Sequence, residues 1–337
     1  MEIKILDNDI KKGNFKNVYF FYGPETFLIE NKVSSIKKRI VPEELDSVAF
    51  SKFDGKEADI KSFIEECDIL PFVTDKKLVI VKNTGWFNNV NVNEYKMLKK
   101  YIEEIPEYLY IIFVEESFDK KKEKNIDFIE QIGGVVFFDI LTVNQLSVWV
   151  DKLFTDEGKS VAPADISFII NACSQSMGRI YTEVNKLILF SGDRVKIKRE
   201  EIEALVVKTS EYKIYEMFDD IVNQNNHKAT EKLLNLLEGG EKPTVVISGV
   251  AGKLYELLLV KLLNSDRVSI KEISSYLDFP RPDFVINKMI TQSKKFGEPY
   301  LKRMIKKGIE YDKMIKNGRI SGEKAAEMYV MELLKMD

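Results

Sequence analysis

The run Val18-Tyr19-Phe20-Phe21-Tyr22-Gly23-Pro24-Glu25-Thr26-Phe27-Leu28-Ile29-Glu30 decides the fold. Its first five residues are apolar or aromatic without alternation, the pattern of a parallel strand covered on both faces. Gly23 breaks the strand, and Ile29, Val33, Ile36 and Ile40 then recur at the spacing of one helix face. Strand, glycine and helix in that order mark the place where an α/β nucleotide-binding protein keeps its phosphate loop.

The chemistry of such a loop is missing. A working loop needs glycines that aim successive backbone N–H groups at phosphate, a lysine opening the helix and a hydroxyl for Mg²⁺. Counting from Gly23, Leu28 stands at the second glycine, Ile29 at the lysine and Glu30 at the Ser/Thr. Pro24 deletes a donor, and Glu25 and Glu30 would face an anionic ligand. Gly23, Pro24, Glu25, Leu28, Ile29 and Glu30 therefore read as a degenerate phosphate loop that cannot hold a triphosphate. The end of the third strand agrees, since Lys82-Asn83 offers no carboxylate pair for Mg²⁺. Glu115-Glu116 after the fourth strand is the best argument for an enzyme. Without a loop to deliver nucleotide, a solvated strand end is the favoured reading.

Working outward, five strands are expected at Val18–Tyr22, Val48–Phe53, Lys77–Val81, Leu109–Val114 and Val135–Asp139, with helices between them. Ile60, Phe63, Ile64 and Cys67 form the buried stripe of the helix before the third strand. Alternating strands and helices predict a mostly parallel sheet over residues 1–141. Three short helices, Val143–Thr155, Pro163–Cys173 and Gly178–Phe190 with Ser176 as N-cap, predict a small helical domain over 142–209. Residues 210–337 read as a helical bundle. The helix Thr244–Leu263, apolar almost all round, is its expected centre.

Composition removes much enzymology. The 337 residues are 45% hydrophobic and 31% charged, enough apolar material for more than one core. Lys and Arg total 51 against 54 Asp and Glu, a formal charge of -3, so any DNA contact is local or shared with partners. There are two cysteines, Cys67 and Cys173, and one histidine, His227. His triads, His metal sites and Cys–His dyads need residues this chain scarcely has. The cysteines read as small buried hydrophobes and His227 as a solvated loop residue. No metal site and no cofactor is expected. No apolar run approaches the roughly 18 residues that span a bilayer, and no signal peptide opens the chain, so the expected location is the cytoplasm.

A nucleotide-loop position without nucleotide chemistry, a helical lid and an all-helical C-terminal part together resemble the delta subunits of bacterial DNA polymerase III clamp loaders, non-ATPase members of the AAA+ architecture. The motifs that carry the resemblance are Val18 to Glu30, similar to the family's strand-Gly-x-Glu-x-Phe-Leu opening, and Leu70-Pro71-Phe72-Val73-Thr74-Asp75-Lys76-Lys77-Leu78-Val79-Ile80-Val81-Lys82-Asn83. Glu183-Val184-Asn185-Lys186-Leu187 resembles a lid motif, and Lys316-Asn317-Gly318-Arg319 a short C-terminal one. The resemblance implies a subunit that binds the sliding clamp (beta) and helps open the ring for loading onto primed DNA during replication. It implies as partners the ATPase subunits (gamma/tau), delta-prime and primer-template DNA, with the C-terminal domain forming a collar. It also places the clamp-binding element at Ile69, Leu70, Pro71 and Phe72.

The residues agree with that placement, because Pro71 disfavours helix at Leu70 and so projects Leu70 and Phe72 from a helix end. Read without the family, the same pair would simply seal the sheet edge. Lys302, Arg303, Lys306 and Lys307 recur at helical spacing and offer a DNA path, against a plainly solvated basic face; Lys120-Lys121-Lys122 is equally ambiguous. Two other functions stay open: a nucleotide-hydrolysing AAA+ enzyme using Glu115 and Glu116, and a helicase-loader-like DNA-binding adaptor.

Overall fold

The computed structural model describes residues 1–88, 91–277 and 283–335, without the side chains of Lys120 and Phe284. The chain divides into two compact units, Met1–Leu141 and Thr142–Asp337. In the first, strands β1 (Val18–Tyr22), β2 (Phe50–Asp54), β3 (Lys77–Lys82), β4 (Leu109–Glu115) and β5 (Gly134–Phe137) form one parallel sheet in the order β2-β3-β4-β1-β5. Parallel neighbours cannot be joined by hairpins, so helices make the crossovers. These are α2 (Thr26–Ile40), α3 (Asp46–Ala49), α4 (Ile60–Asp68), α5 (Val92–Glu103) and α6 (Asp127–Ile132), while α1 (Ile3–Lys12) precedes β1.

Successive β1 side chains point to opposite faces, and each face has its own core. Val18, Phe20 and Tyr22 join Phe63 and Cys67 of α4, Leu98 and Ile102 of α5, and Phe128 and Ile129 of α6. Tyr19 and Phe21 join Leu6 of α1 and Ile29, Val33, Ile36 and Ile40 of α2. Edge-to-face aromatic contacts stiffen the first core, with Phe87 5.2 Å from Phe20 and 5.0 Å from Phe113 between ring centroids.

The second unit is helical: α7 (Val143–Asp156), α8 (Pro163–Ala172), α9 (Met177–Ser191), α10 (Arg199–Leu205), α11 (Ser210–Val222), α12 (Asn226–Glu238), α13 (Pro243–Ser265), α14 (Ile270–Ser275), α15 (Asp283–Ser293), α16 (Glu298–Lys316) and α17 (Gly322–Leu334). The segment expected to carry three helices carries a fourth, α10. Its opening Arg199-Glu200-Glu201 hides a stripe in which Ile202 alone is fully buried. Helix α13 is central as expected, packing against α11, α15, α16 and α17. Gly308 lets α16 approach, since a Cβ there would lie 3.0 Å from the Ala251 Cβ and 2.9 Å from the Tyr329 hydroxyl. His227 falls in the first turn of α12 and not in a loop, because the Ala229, Leu233 and Leu236 stripe draws the polar run into helix with His227 facing solvent.

Candidate functional site

Helix α4 starts where the Asp59 carboxylate accepts the Ser62 N–H at 2.9 Å. It stops at Asp68, Ile69 being extended at φ -69° and ψ 113°, one residue before the position that Pro71 bars from helix. Beyond the stop, Ile69 is 52% exposed, Leu70 58%, Phe72 93% and Val73 65%, with Pro71 half-buried. Phe72 is the most exposed large apolar side chain among the described residues. It does not seal the sheet edge. Ile69, Leu70, Phe72 and Val73 thus form an exposed apolar cluster beyond a helix end.

Three side chains that sequence reading did not single out pin this helix end. The Tyr101 hydroxyl donates to Asp68 Oδ1 at 2.8 Å, and the Tyr108 hydroxyl to the Cys67 carbonyl at 3.2 Å. Lys77, the first residue of β3, turns its ammonium beneath the end of α4 and donates to the Ile69 carbonyl at 3.2 Å. The available signal was a lysine directly before the apolar run Leu78-Val79-Ile80-Val81, a position at which a charge is buried only with partners.

At the phosphate-loop position two backbone donors are already used. The Gly23 N–H donates to the Glu115 carbonyl at 3.3 Å and the Glu25 N–H to the Phe138 carbonyl at 3.2 Å, while Pro24 has none. Gly23 sits at φ +132°, and a Cβ there would lie 2.2 Å from the Phe138 oxygen. Ile29 is buried in the core and Leu28 packs against it. Glu30 pairs with Lys82 at 2.5 Å. Burial pushes the Glu25 carboxyl above the ordinary range, so a further anion beside it would be opposed.

The two strand-end acids differ. Glu116 is exposed and exchanges hydrogen bonds with Asn83, both at 3.1 Å. Glu115 is 6% exposed, which corrects the expectation of a solvated strand end. Its carboxylate accepts the Gly85 N–H at 2.8 Å and the Thr84 hydroxyl at 3.4 Å, holding the turn after β3. Burial is the main cause of its raised pKa. Among the described residues, no group of three or more His, Cys, Asp or Glu stands ready to hold a metal ion. Cys67 and Cys173 are buried, and burial pushes both thiols up to about 12.

The basic candidates are dispersed in role. On α16, Lys302 pairs with Glu298 at 2.6 Å and Lys307 with Glu332 at 3.3 Å. Arg303 lies over the Tyr300 ring at 5.4 Å, and Lys306 is exposed. Lys122 donates to the Asn88 carbonyl, and the Lys120 side chain lies outside the described residues. Glu183 accepts the Val207 N–H at 3.1 Å and pairs with Lys186 at 2.5 Å, so that motif ties α9 to the chain after α10. Lys316-Asn317-Gly318-Arg319 closes α16, the Gly318 and Arg319 N–H groups returning to the Ile315 and Met314 carbonyls at 3.0 and 2.9 Å. No helix among the described residues is long and apolar enough to cross a membrane.

The family described as DNA polymerase III, delta subunit, matches residues 19–137, and its C-terminal domain matches residues 211–333. The DNA polymerase III subunit delta of Bacillus subtilis (strain 168) is 24% identical over 333 residues, 97% of this chain and 95% of that one. The solved Bacillus subtilis DNA clamp loader delta protein (YqeN) superposes with a TM-score of 0.72 at 24% identity, covering 99% of each chain, a likeness of fold. With both parts of the family matched in order, on a parallel sheet followed by helical domains, the chain belongs to the DNA polymerase III delta subunit family.

Proposed function

We propose that this clamp-loader subunit binds the sliding clamp through Ile69, Leu70, Pro71 and Phe72 and opens the ring by contact energy. The single observation that supports this most is Phe72, 93% exposed on a helix end that its own fold holds still. A buried aromatic hot spot contributes on the order of 2 to 4 kcal/mol. The ring opens only to the extent that the subunit binds the open clamp more tightly than the closed one. No bond chemistry is required of this chain. In this reading ATP acts on the loader's gamma/tau subunits, since the degenerate loop Gly23 to Glu30 spends the Gly23 and Glu25 N–H groups on backbone carbonyls and has no lysine for phosphate.

Residues 142–209 serve as the lid and 210–337 as the collar that meets delta-prime and the ATPase subunits. Arg303 and Lys306, without a carboxylate partner among the described residues, are the better half of the basic cluster for primer-template DNA in the assembled loader. Its work lies in the cytoplasm with its replication partners. Affinity of the full chain for the same organism's clamp tests the reading. The L70A/F72A variant loses binding while its melting temperature stays within about 2 °C, as exposed residues contribute little to folding. Undiminished binding by that variant overturns it.

A further inference from the structure

We infer that Lys77 is the positioning residue of the clamp-binding element, aiming Leu70 and Phe72 from beneath without touching the clamp. The inference rests on the clamp-binding reading above and adds to it how the element keeps its shape. Lys77 is 2% exposed, so no partner reaches it. Its ammonium has three N–H donors and meets three acceptors. These are the Glu66 carboxylate at 2.8 Å, the Ile69 carbonyl at 3.2 Å and the Glu66 carbonyl. Two of them are main-chain oxygens at the C-terminal end of α4, the Glu66 one also accepting the Ile69 N–H at 3.3 Å, and the helix dipole there favours a cation. The Ser51 hydroxyl donates to Glu66 Oε1 at 2.6 Å and holds the carboxylate in place. Burial raises the Glu66 carboxyl, and the Lys77 ammonium and Ser51 hydroxyl more than offset this, leaving it below the ordinary range.

The Ile69 carbonyl belongs to the peptide plane that leads into Leu70. Holding that oxygen fixes the direction in which the chain leaves the helix. The ring of Pro71 fixes the next φ but one, so few backbone dihedrals between α4 and Phe72 stay free. An exposed apolar segment of five residues would otherwise sample many directions, and ordering it on contact would weaken binding. Lys77 thus keeps the element in its binding shape before the clamp arrives.

The test uses the full chain, the same organism's clamp and a spin label at Val73→Cys. Cys67 and Cys173 are buried with raised thiol pKa values, so the label reports position 73. Lys77→Met keeps the aliphatic stem and removes the ammonium. It weakens clamp binding about tenfold and narrows the label's spectrum, and Lys77→Arg restores most of both. Unchanged affinity in Lys77→Met, or weaker binding with an unchanged spectrum, overturns the inference. If Lys77→Met does not melt cooperatively, Glu66→Gln takes its place, with smaller shifts of the same sign expected and no shift in either readout overturning it. Phe72→Ala is measured alongside. Full affinity there refutes the clamp-binding reading itself, whereas loss there with Lys77→Met unchanged refutes only the role of Lys77.

Discussion

Glu30 of α2 and Lys82 of β3 form an ion pair at 2.5 Å. They occupy the two places where a nucleotide-hydrolysing protein of this architecture carries its Mg²⁺-binding hydroxyl and its strand-end carboxylates. The Lys82 ammonium puts a cation against Glu30 Oε1 and so opposes a metal ion there. Mg²⁺-ATP at about 1 mM therefore leaves the melting temperature unchanged, whereas a micromolar site would add about 4 kcal/mol of stability. Thermal melts with and without nucleotide check this, and a Mg²⁺-dependent rise contradicts it.

Space and backbone conformation alone are enough to require glycine at position 23. Gly23→Ala places a Cβ at 2.2 Å from the Phe138 oxygen at φ +132°. The expected cost is roughly 2 to 4 kcal/mol, the sum of strained backbone and forced displacement. Urea denaturation measures it. A change under about 0.5 kcal/mol, within the range of surface substitutions, contradicts the geometry.

Glu115 carries a testable pH signature. Its folded pKa is raised, so the folded state binds the proton more tightly than the unfolded state does. Its contribution to stability is present at acid pH and falls as pH rises from the ordinary glutamate value, about 4.3, through the raised folded value. Glu115→Gln keeps an oxygen for the Gly85 N–H and cannot ionise. The variant gains on the wild type as pH rises from about 4 to 7. Denaturation midpoints across that range decide it, and a variant that instead falls behind with rising pH contradicts the account.

For DNA, the ion pairs on α16 sort the basic cluster. Lys302 and Lys307 have carboxylate partners, whereas Arg303 and Lys306 project without one among the described residues. In the assembled loader on primer-template DNA, R303A/K306A reduces the slope of log affinity against log salt by about 1 per residue removed. K302A alone leaves it nearly unchanged. An unaltered slope in the double variant removes this face from the DNA path.

Long-range order decides which parts of the molecule could be read from sequence. The interior strands β1, β3 and β4 were legible because unbroken apolar runs have few other uses. The second strand drifted by two residues. Val48 and Ala49 close the helical turn Asp46–Ala49, and β2, half exposed at the sheet edge, lacks the strong pattern of its neighbours. Strand order was not legible, since it depends on pairings such as Phe20 with Phe113 that no local pattern encodes. The end of α4 was legible through Pro71, a local conformational rule, but the exposure of Leu70 and Phe72 was expected only from the family resemblance. The support of that helix end was not legible, because Lys77 and Tyr108 reach α4 only after β3 and β4 are paired, and Glu115 looked solvated until the Asn83-Thr84-Gly85 turn closed over it.

The rate at which clamp rings leave circular DNA, with this chain present and no nucleotide, tests most directly whether contact alone opens the ring. The account predicts that the wild-type chain accelerates release and that L70A/F72A does not. No acceleration by the wild type, or equal acceleration by the variant, contradicts it.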